Sequence, residues 1–170
     1  MLIVLFLQVA SLGVLFIIIY LLARPIIGGA IYFPTTSANT KIIISFAALA
    51  PGQLVVDIGS GDGKLLVAFA EIGIEAHGYE INPILVWQSR RTIAKKKLSH
   101  LAFVHWKSFW RVNMGAYDVI IVYGIPYIMK RLGAKLKKEL KPGTKVLSNI
   151  YQFPGWTVEK EERGVRLYRA

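Results

Sequence analysis

Residues 55–64 read Val-Val-Asp-Ile-Gly-Ser-Gly-Asp-Gly-Lys. An apolar run, Leu54 to Ile58, carries a single acid at Asp57. Three glycines then alternate at Gly59, Gly61 and Gly63, and the helix-compatible run Lys64 to Ala70 follows. Strand, glycine turn and helix in this order open a doubly wound α/β fold, where the backbone must come close to a nucleotide-like ligand. A Cβ in such a turn would block the approach or forbid the conformation. The spacing is G-x-G-x-G. A dinucleotide fingerprint would need glycine at position 64, which is Lys. An acid two residues before the first glycine suits a cationic ligand better than a pyrophosphate.

A second acid extends the pattern. Gly78-Tyr79-Glu80 closes the next apolar segment, 23 positions after Asp57. That is where the following strand should end and where a carboxylate grips ribose hydroxyls. The two acids and the glycine turn together resemble motif I and its partner acid in class I S-adenosylmethionine-dependent methyltransferases.

The 170 residues suffice for one domain and an appendage. The chain is 54% hydrophobic, and the excess is concentrated at the start. Residues 1–23 contain no charged side chain, and the first charge is Arg24. A helix of that length is about 33 Å long, enough to cross a hydrocarbon core. A signal peptide would have a basic leading region and a shorter apolar stretch. A core helix so uniformly apolar would need a larger protein around it. The expectation is a retained membrane anchor. All 21 Lys and Arg residues follow it, so the positive-inside rule predicts the remaining chain on the cytoplasmic side, or the matrix side of a mitochondrion.

The formal net charge is +11. Basic residues gather at Arg90, Arg91 and Lys95–Lys97, and again at Lys130, Arg131, Lys135, Lys137, Lys138, Lys141 and Lys145. Beside a membrane anchor these fit an anionic lipid surface or a solvated helix face. No RNA-recognition signature, zinc-binding spacing or aromatic-basic repeat argues for nucleic acid. The chain has no cysteine, which excludes thiolate metal sites and Cys nucleophiles and agrees with a reducing compartment. His77, His100 and His105 show no ligand spacing, so no metal site is expected.

Arg24-Pro25 is expected to end the anchor helix. A glycine- and proline-containing connection, residues 26–38, leads to a helix over Asn39 to Leu49 and a Pro51-Gly52 turn. Beyond it, strands are predicted over 54–58, 74–79, 101–106, 117–123 and 145–150. Helices are predicted over 64–72, 83–98 and 126–140, with a short turn near 109–114. Alternation of this kind predicts a parallel sheet with helices on both faces. Trp156 to Glu161 and Gly164 to Tyr168 read as a closing antiparallel hairpin. The predicted fold class is therefore α/β: a Rossmann-like class I methyltransferase sheet with a C-terminal antiparallel hairpin, preceded by one transmembrane helix.

Five segments carry a narrower resemblance: Tyr32-Phe33-Pro34-Thr35, residues 57–64, Gly78-Tyr79-Glu80-Ile81-Asn82-Pro83, residues 117–126 (YDVIIVYGIP) and residues 148–156 (SNIYQFPGW). With the N-terminal span they resemble the small membrane-anchored class I protein-lysine methyltransferases. That family includes the enzymes that methylate the adenine nucleotide translocase and the c-subunit of ATP synthase, with prokaryotic relatives. The resemblance implies three regions: 1–24 as anchor, 25–40 as linker and cofactor-closing segment, and 41–170 as methyltransferase domain. It implies S-adenosyl-L-methionine as cofactor, with Asp57, Gly59, Ser60 and Gly61 along its methionine end. Glu80 would hold the ribose diol, with Asn82 flanking the adenine. Thr35 and Thr36 would close over the cofactor from the N-terminal side.

After the third strand the family often carries an acid for the adenine amine. Here Ser108 stands there, with Phe109 next, so that contact is weakened or replaced. After the fourth strand, Gly124-Ile125-Pro126-Tyr127 only partly matches the Asp/Asn-Pro-Pro-aromatic clamp of many N-methyltransferases. Tyr123, Pro126, Tyr127 and Trp156 are the candidate walls of a lysine channel, with Tyr32 beside them, and Tyr123 is also a candidate cofactor contact. An aromatic channel disfavours the ammonium by desolvation and so lowers the lysine pKa. The implied partner is an integral or peripheral membrane protein. Methylation of a lipid, another small molecule or RNA, and a non-catalytic cofactor-binding module, are the alternatives that the residues leave open.

Overall fold

The structure is a computed structural model that describes residues 2–28, 35–124 and 126–170, with only the helical backbone for 21–28. Tyr32, Phe33, Pro34 and Ile125 lie outside the described residues. The first helix, α1 (Leu2–Gly28), continues through Pro25. The sequence predicts a stop there. Loss of one backbone donor leaves the flanking turns hydrogen-bonded, and apolar helices tolerate such a proline. Residues 2–20 are exposed throughout. By length and composition, Leu2–Tyr20 is long and apolar enough to cross a membrane.

The second helix, α2 (Ser37–Ala47), starts two residues earlier than its periodicity suggests. The side chain of Thr36 accepts a hydrogen bond from the Asn39 amide at 3.2 Å and so satisfies one orphan donor of the first turn. Five parallel strands follow: β1 (Leu54–Ile58), β2 (Glu75–Glu80), β3 (Ala102–Trp106), β4 (Val119–Val122) and β5 (Lys145–Asn149). The helices α3 (Lys64–Ala70), α4 (Pro83–Lys95) and α5 (Pro126–Glu139) link them. The link from β3 to β4 carries only a 3-10 turn, Phe109–Arg111. The strands β6 (Lys160–Glu162) and β7 (Val165–Arg169) close the chain, and β7 runs antiparallel to β5. Pairing of β6 starts four residues later than predicted, at Lys160, because the Trp156 ring is held against Phe153 and Gly133 rather than in the sheet.

The strand order is β3-β2-β1-β4-β5-β7-β6. The chain leaves β1 toward β2 on one side and returns to β4 on the other, so the crevice beyond the carboxyl ends of β1 and β4 is the switch point where α/β sheets bind ligands. One sheet face packs Val55, Ala76, Val104, Ile121 and Leu147 against Ile43, Leu66 and Phe69. The other packs Val56, Ile58, Ile120, Val122 and Val146 against Leu132 and Leu136 of α5. The strands carry apolar residues toward both faces, as a sheet covered on both sides requires.

Two edge features are local. Arg90 of α4 donates to the carbonyl of Val104 on β3 at 3.0 and 3.3 Å. At the other edge, all three residues of β6 (Lys160, Glu161, Glu162) are exposed. His77 and His105 meet across β2 and β3 at 3.0 Å, with Glu75 on the far nitrogen of His77 at 2.9 Å. Burial, then His77, lowers the His105 pKa.

Candidate cofactor and acceptor site

The three glycines of the turn all take positive φ: Gly59 +79°, Gly61 +55° and Gly63 +78°. That is why the turn excludes other residues. Amides of Gly59 and Ser60 both donate to the Tyr79 carbonyl, at 2.9 and 3.3 Å, which pins the turn to the end of β2. Asp57 faces Gly78 across β1 and β2, and Ile121 across β1 and β4. Gly78 admits the turn: a Cβ there would stand 2.5 Å from Ser60 Oγ and 2.7 Å from Leu66 Cδ1. The Ser60 side chain therefore turns inward against the sheet. Its hydroxyl is buried without a hydrogen-bond partner among the described residues.

Glu80, 8% exposed, organises the loop. One carboxylate oxygen accepts from the amides of Ile81 and Asn82, both at 2.7 Å; the other accepts from Gly61 at 3.0 Å. Asn82 caps α4, its side chain accepting from the Ile84 amide at 3.0 Å. Asp57 is 5% exposed. Burial pushes its carboxyl from the ordinary 3.8 up to about 7, with smaller contributions from Glu80 and Asp62. Three carboxylates around one glycine turn, in a chain of net charge +11, form a niche for a cation.

The N-terminal segment closes on this niche through Lys64, a residue that in the sequence serves only to exclude a dinucleotide motif. Lys64 donates to the Thr35 carbonyl at 2.6 Å and to Ser37 Oγ at 3.4 Å. Thr35 is buried, whereas the Thr36 hydroxyl is committed to its cap. Asn39 donates to Asn149 at 2.9 Å, joining α2 to the end of β5. No motif signals that pair.

Beyond β3, Ser108 precedes the 3-10 turn without a side-chain cap. Phe109 is buried in the second core, 4.8 Å from the Trp110 ring. Beyond β4, Tyr123 is half-buried and its hydroxyl pKa is raised by burial and then by Tyr151. Tyr151 is not among the residues that the sequence singles out, although it lies inside the 148–156 segment. Pro126 and Tyr127 open α5 and are exposed. Tyr123, Pro126 and Tyr127 thus gather at the switch-point end with Asp57 and Glu80.

Trp156 does not join them. Its ring lies 5.2 Å from Phe153, 6.0 Å from Tyr168 and 5.4 Å from the Lys137 ammonium. It lies against Gly133, midway along α5, where a Cβ would stand 2.9 Å from the indole nitrogen. This side chain fastens the loop before β6 onto α5.

A model of the ANTKMT methyltransferase domain matches residues 57–160, from Asp57 to the start of β6. The chain belongs to this methyltransferase family. It is 33% identical over 144 residues to the lysine N-methyltransferase of the ATP synthase c-subunit from Xenopus laevis, covering 81% of this chain and 63% of that one. It is 31% identical over 126 residues to the adenine nucleotide translocase lysine N-methyltransferase of Mus musculus, covering 74% and 55%. The chain thus spans between about half and two thirds of the length of these family members. A solved RNA methyltransferase from Salinibacter ruber, in complex with S-adenosyl-L-homocysteine, shares the fold at a TM-score of 0.74 and 24% identity, covering 81% of this chain and 92% of the other.

The residues present fit S-adenosylmethionine, the family's methyl donor. Its sulfonium and ammonium suit the carboxylate niche. The turn keeps side chains off the approach, and the Gly61-bound oxygen of Glu80 retains a lone pair for a hydroxyl.

Proposed function

We propose that the protein transfers a methyl group from S-adenosylmethionine to a lysine of a membrane-associated protein, while α1 holds it in the bilayer. One observation carries this reading: Asp57 and Glu80 are buried on either side of the glycine turn, at the switch point of a family sheet. Bound S-adenosylmethionine supplies an electrophilic methyl group on a sulfonium. Asp57 and the backbone of Gly59, Ser60 and Gly61 would hold its methionine end, and Glu80 its ribose. Asn82, Ser108 and Phe109 would border the base, with Thr35 and Thr36 closing from the N-terminal side.

On the acceptor side, Tyr123, Pro126 and Tyr127 form an aromatic mouth. Tyr123 keeps its proton, because burial and Tyr151 raise its pKa. A hydroxyl and apolar rings disfavour an ammonium and admit a neutral amine with its lone pair free. Positioning then supplies much of the acceleration of an in-line displacement.

We read residues 1–24 as anchor, 25–40 as linker and closing segment, and 41–170 as methyltransferase domain. Because the basic residues follow the anchor, this domain faces the cytoplasm or the mitochondrial matrix. Its basic clusters would meet anionic headgroups. Two relatives carry names that specify lysines of the ATP synthase c-subunit and of adenine nucleotide translocase. A short tether confines this chain's reach to a similar thin layer, which raises the effective concentration of acceptors within it.

Incubating the full chain with membranes and tritiated cofactor, then separating protein, lipid and RNA, tests the reading. Label on protein lysine is expected. Label on lipid or RNA would overturn the acceptor class, and label in no fraction would leave a cofactor-binding module. Tyr127→Ala should lower turnover by about tenfold while cofactor affinity stays level, since it faces the acceptor. Trp156→Ala should instead cost roughly 1–3 kcal/mol of stability, less than a fully buried aromatic truncation because the ring is partly exposed. Protease added outside sealed right-side-out vesicles should leave 41–170 uncut; digestion would reverse the assigned side.

A further inference from the structure

Outside α1, six large apolar side chains among the described residues stand mostly exposed: Ile72, Ile84, Trp87, Trp106, Tyr127 and Ile150. Single exposed apolar residues are ordinary, but a gathering of them marks an interaction surface. Five of the six gather at one end. Ile84 and Trp87 lie in the first turns of α4, just after β2. Trp106 ends β3, Tyr127 is the second residue of α5, and Ile150 directly follows β5. These are the carboxyl ends of the parallel strands, the end that also holds the candidate site. Trp87, Trp106 and Tyr127 are 58%, 59% and 65% exposed.

Around the three exposed aromatic rings the charge is basic. The Arg91 guanidinium lies 5.3 Å above the Trp87 ring. Lys107 follows Trp106, and Lys130 and Arg131 lie within one turn of Tyr127. Asp57 and Glu80 are buried here, and Asp62 is half-buried. The exposed Glu161 and Glu162 lie beside Ile150, with Glu161 paired to Arg166 at 2.7 Å, and the exposed Glu71 and Asp118 lie at the opposite end of the sheet. Amphipathic aromatic rings interleaved with Lys and Arg are the composition of a membrane–water interface.

The covalent chain selects the occupant. α1 ends at Gly28, and Thr35 is fastened by Lys64 at the start of α3, at this same rim. The seven links between them reach at most about 25 Å. A bilayer that holds α1 is therefore within reach of the rim. A soluble partner has no such tie to it.

We propose that this rim docks on the bilayer interface, with Ile84, Trp87 and Trp106 at headgroup level, so that the candidate site opens at the membrane surface. The proposal deepens the membrane reading above and rests on it. The full chain, reconstituted in vesicles of phosphatidylcholine and phosphatidylglycerol, provides the test. Part of the phosphatidylcholine is replaced by a form brominated high on its acyl chains, which quenches nearby indoles.

The chain has four tryptophans: Trp87, Trp106, Trp110 and Trp156. Wild-type fluorescence should fall about twofold, and the Trp87→Phe/Trp106→Phe variant should lose most of that fall, because interfacial indoles are the ones within quencher range. A Trp110→Phe/Trp156→Phe variant keeps both rim indoles and should retain it. An unquenched wild type, or equal quenching in the two variants, would overturn the proposal. Alkaline extraction of the same vesicles separates the two readings. If α1 stays in the bilayer while the rim is unquenched, only docking fails. If α1 is extracted, docking and anchor fail together.

Discussion

Asp57→Asn is expected to remove a pH dependence from both stability and cofactor binding. Burial, with help from Glu80 and Asp62, raises the Asp57 carboxyl from 3.8 to about 7 in the folded chain. The folded state thus keeps a proton that the unfolded chain has released. The contribution of Asp57 to stability without ligand is then fully present below about pH 4, falls as pH rises toward about 7, and is level above. The gap between 3.8 and about 7 corresponds to roughly 4 kcal/mol. Asparagine removes the ionisation, so the variant should be more stable than the wild type at pH 8 in the absence of ligand.

Binding shows the opposite sign. A cationic ligand favours the carboxylate, so wild-type affinity should rise by up to about tenfold per pH unit as neutrality is approached, with proton release. In Asp57→Asn the profile should be flat, and affinity at pH 8 lower by about tenfold to a hundredfold, the scale of a lost charge-assisted hydrogen bond. Titration calorimetry in buffers of differing ionisation enthalpy reads both effects. A flat wild-type profile would mean that Asp57 does not face the ligand's charge.

Glu80→Ala should damage the site twice. The residue is a prospective ribose ligand, and it also accepts from the amides of Ile81, Asn82 and Gly61. Alanine leaves three backbone donors to find water in a buried corner, at a cost of about 2–4 kcal/mol in stability. Cofactor affinity should fall by a further 1–3 kcal/mol, roughly. Glu80→Gln separates the two effects: its carbonyl can still serve Ile81 and Asn82, but its amide NH2, a donor, meets the Gly61 N–H. The glutamine variant should hold most of the stability and lose the affinity. Thermal unfolding with and without S-adenosylmethionine gives both readings. Unchanged stability in Glu80→Ala would show that the turn does not depend on this carboxylate.

The donor half of the site is legible in the sequence because it is built from short-range rules. A glycine turn after a strand fixes where Asp57 and Gly61 stand, and strand length fixes where Glu80 ends. All five parallel strands lie within two residues of their predicted bounds at either end, β4 being the most trimmed, to Val119–Val122. The acceptor half depends on packing between distant segments, which no local pattern encodes. Trp156 reads as a channel wall from its neighbours in sequence, yet Gly133, 23 positions earlier, offers it a close seat on α5. Lys64 carries no sequence signal of its role because its partner is a backbone carbonyl, which no side-chain motif can announce.

With α1 as the proposed anchor, the two borders of the sheet bear on life in a crowded membrane. Chains tethered in a plane meet one another in a fixed orientation and at high local concentration, conditions under which unpaired strands join edge to edge. On β3 the Val104 carbonyl is already occupied by the Arg90 guanidinium, so an incoming strand would have to displace a charge. On β6 the border is three residues long and charged at each one. Neither border gives a neighbouring copy an easy template. A sheet guarded in this way can be concentrated at a bilayer and still remain a set of separate domains.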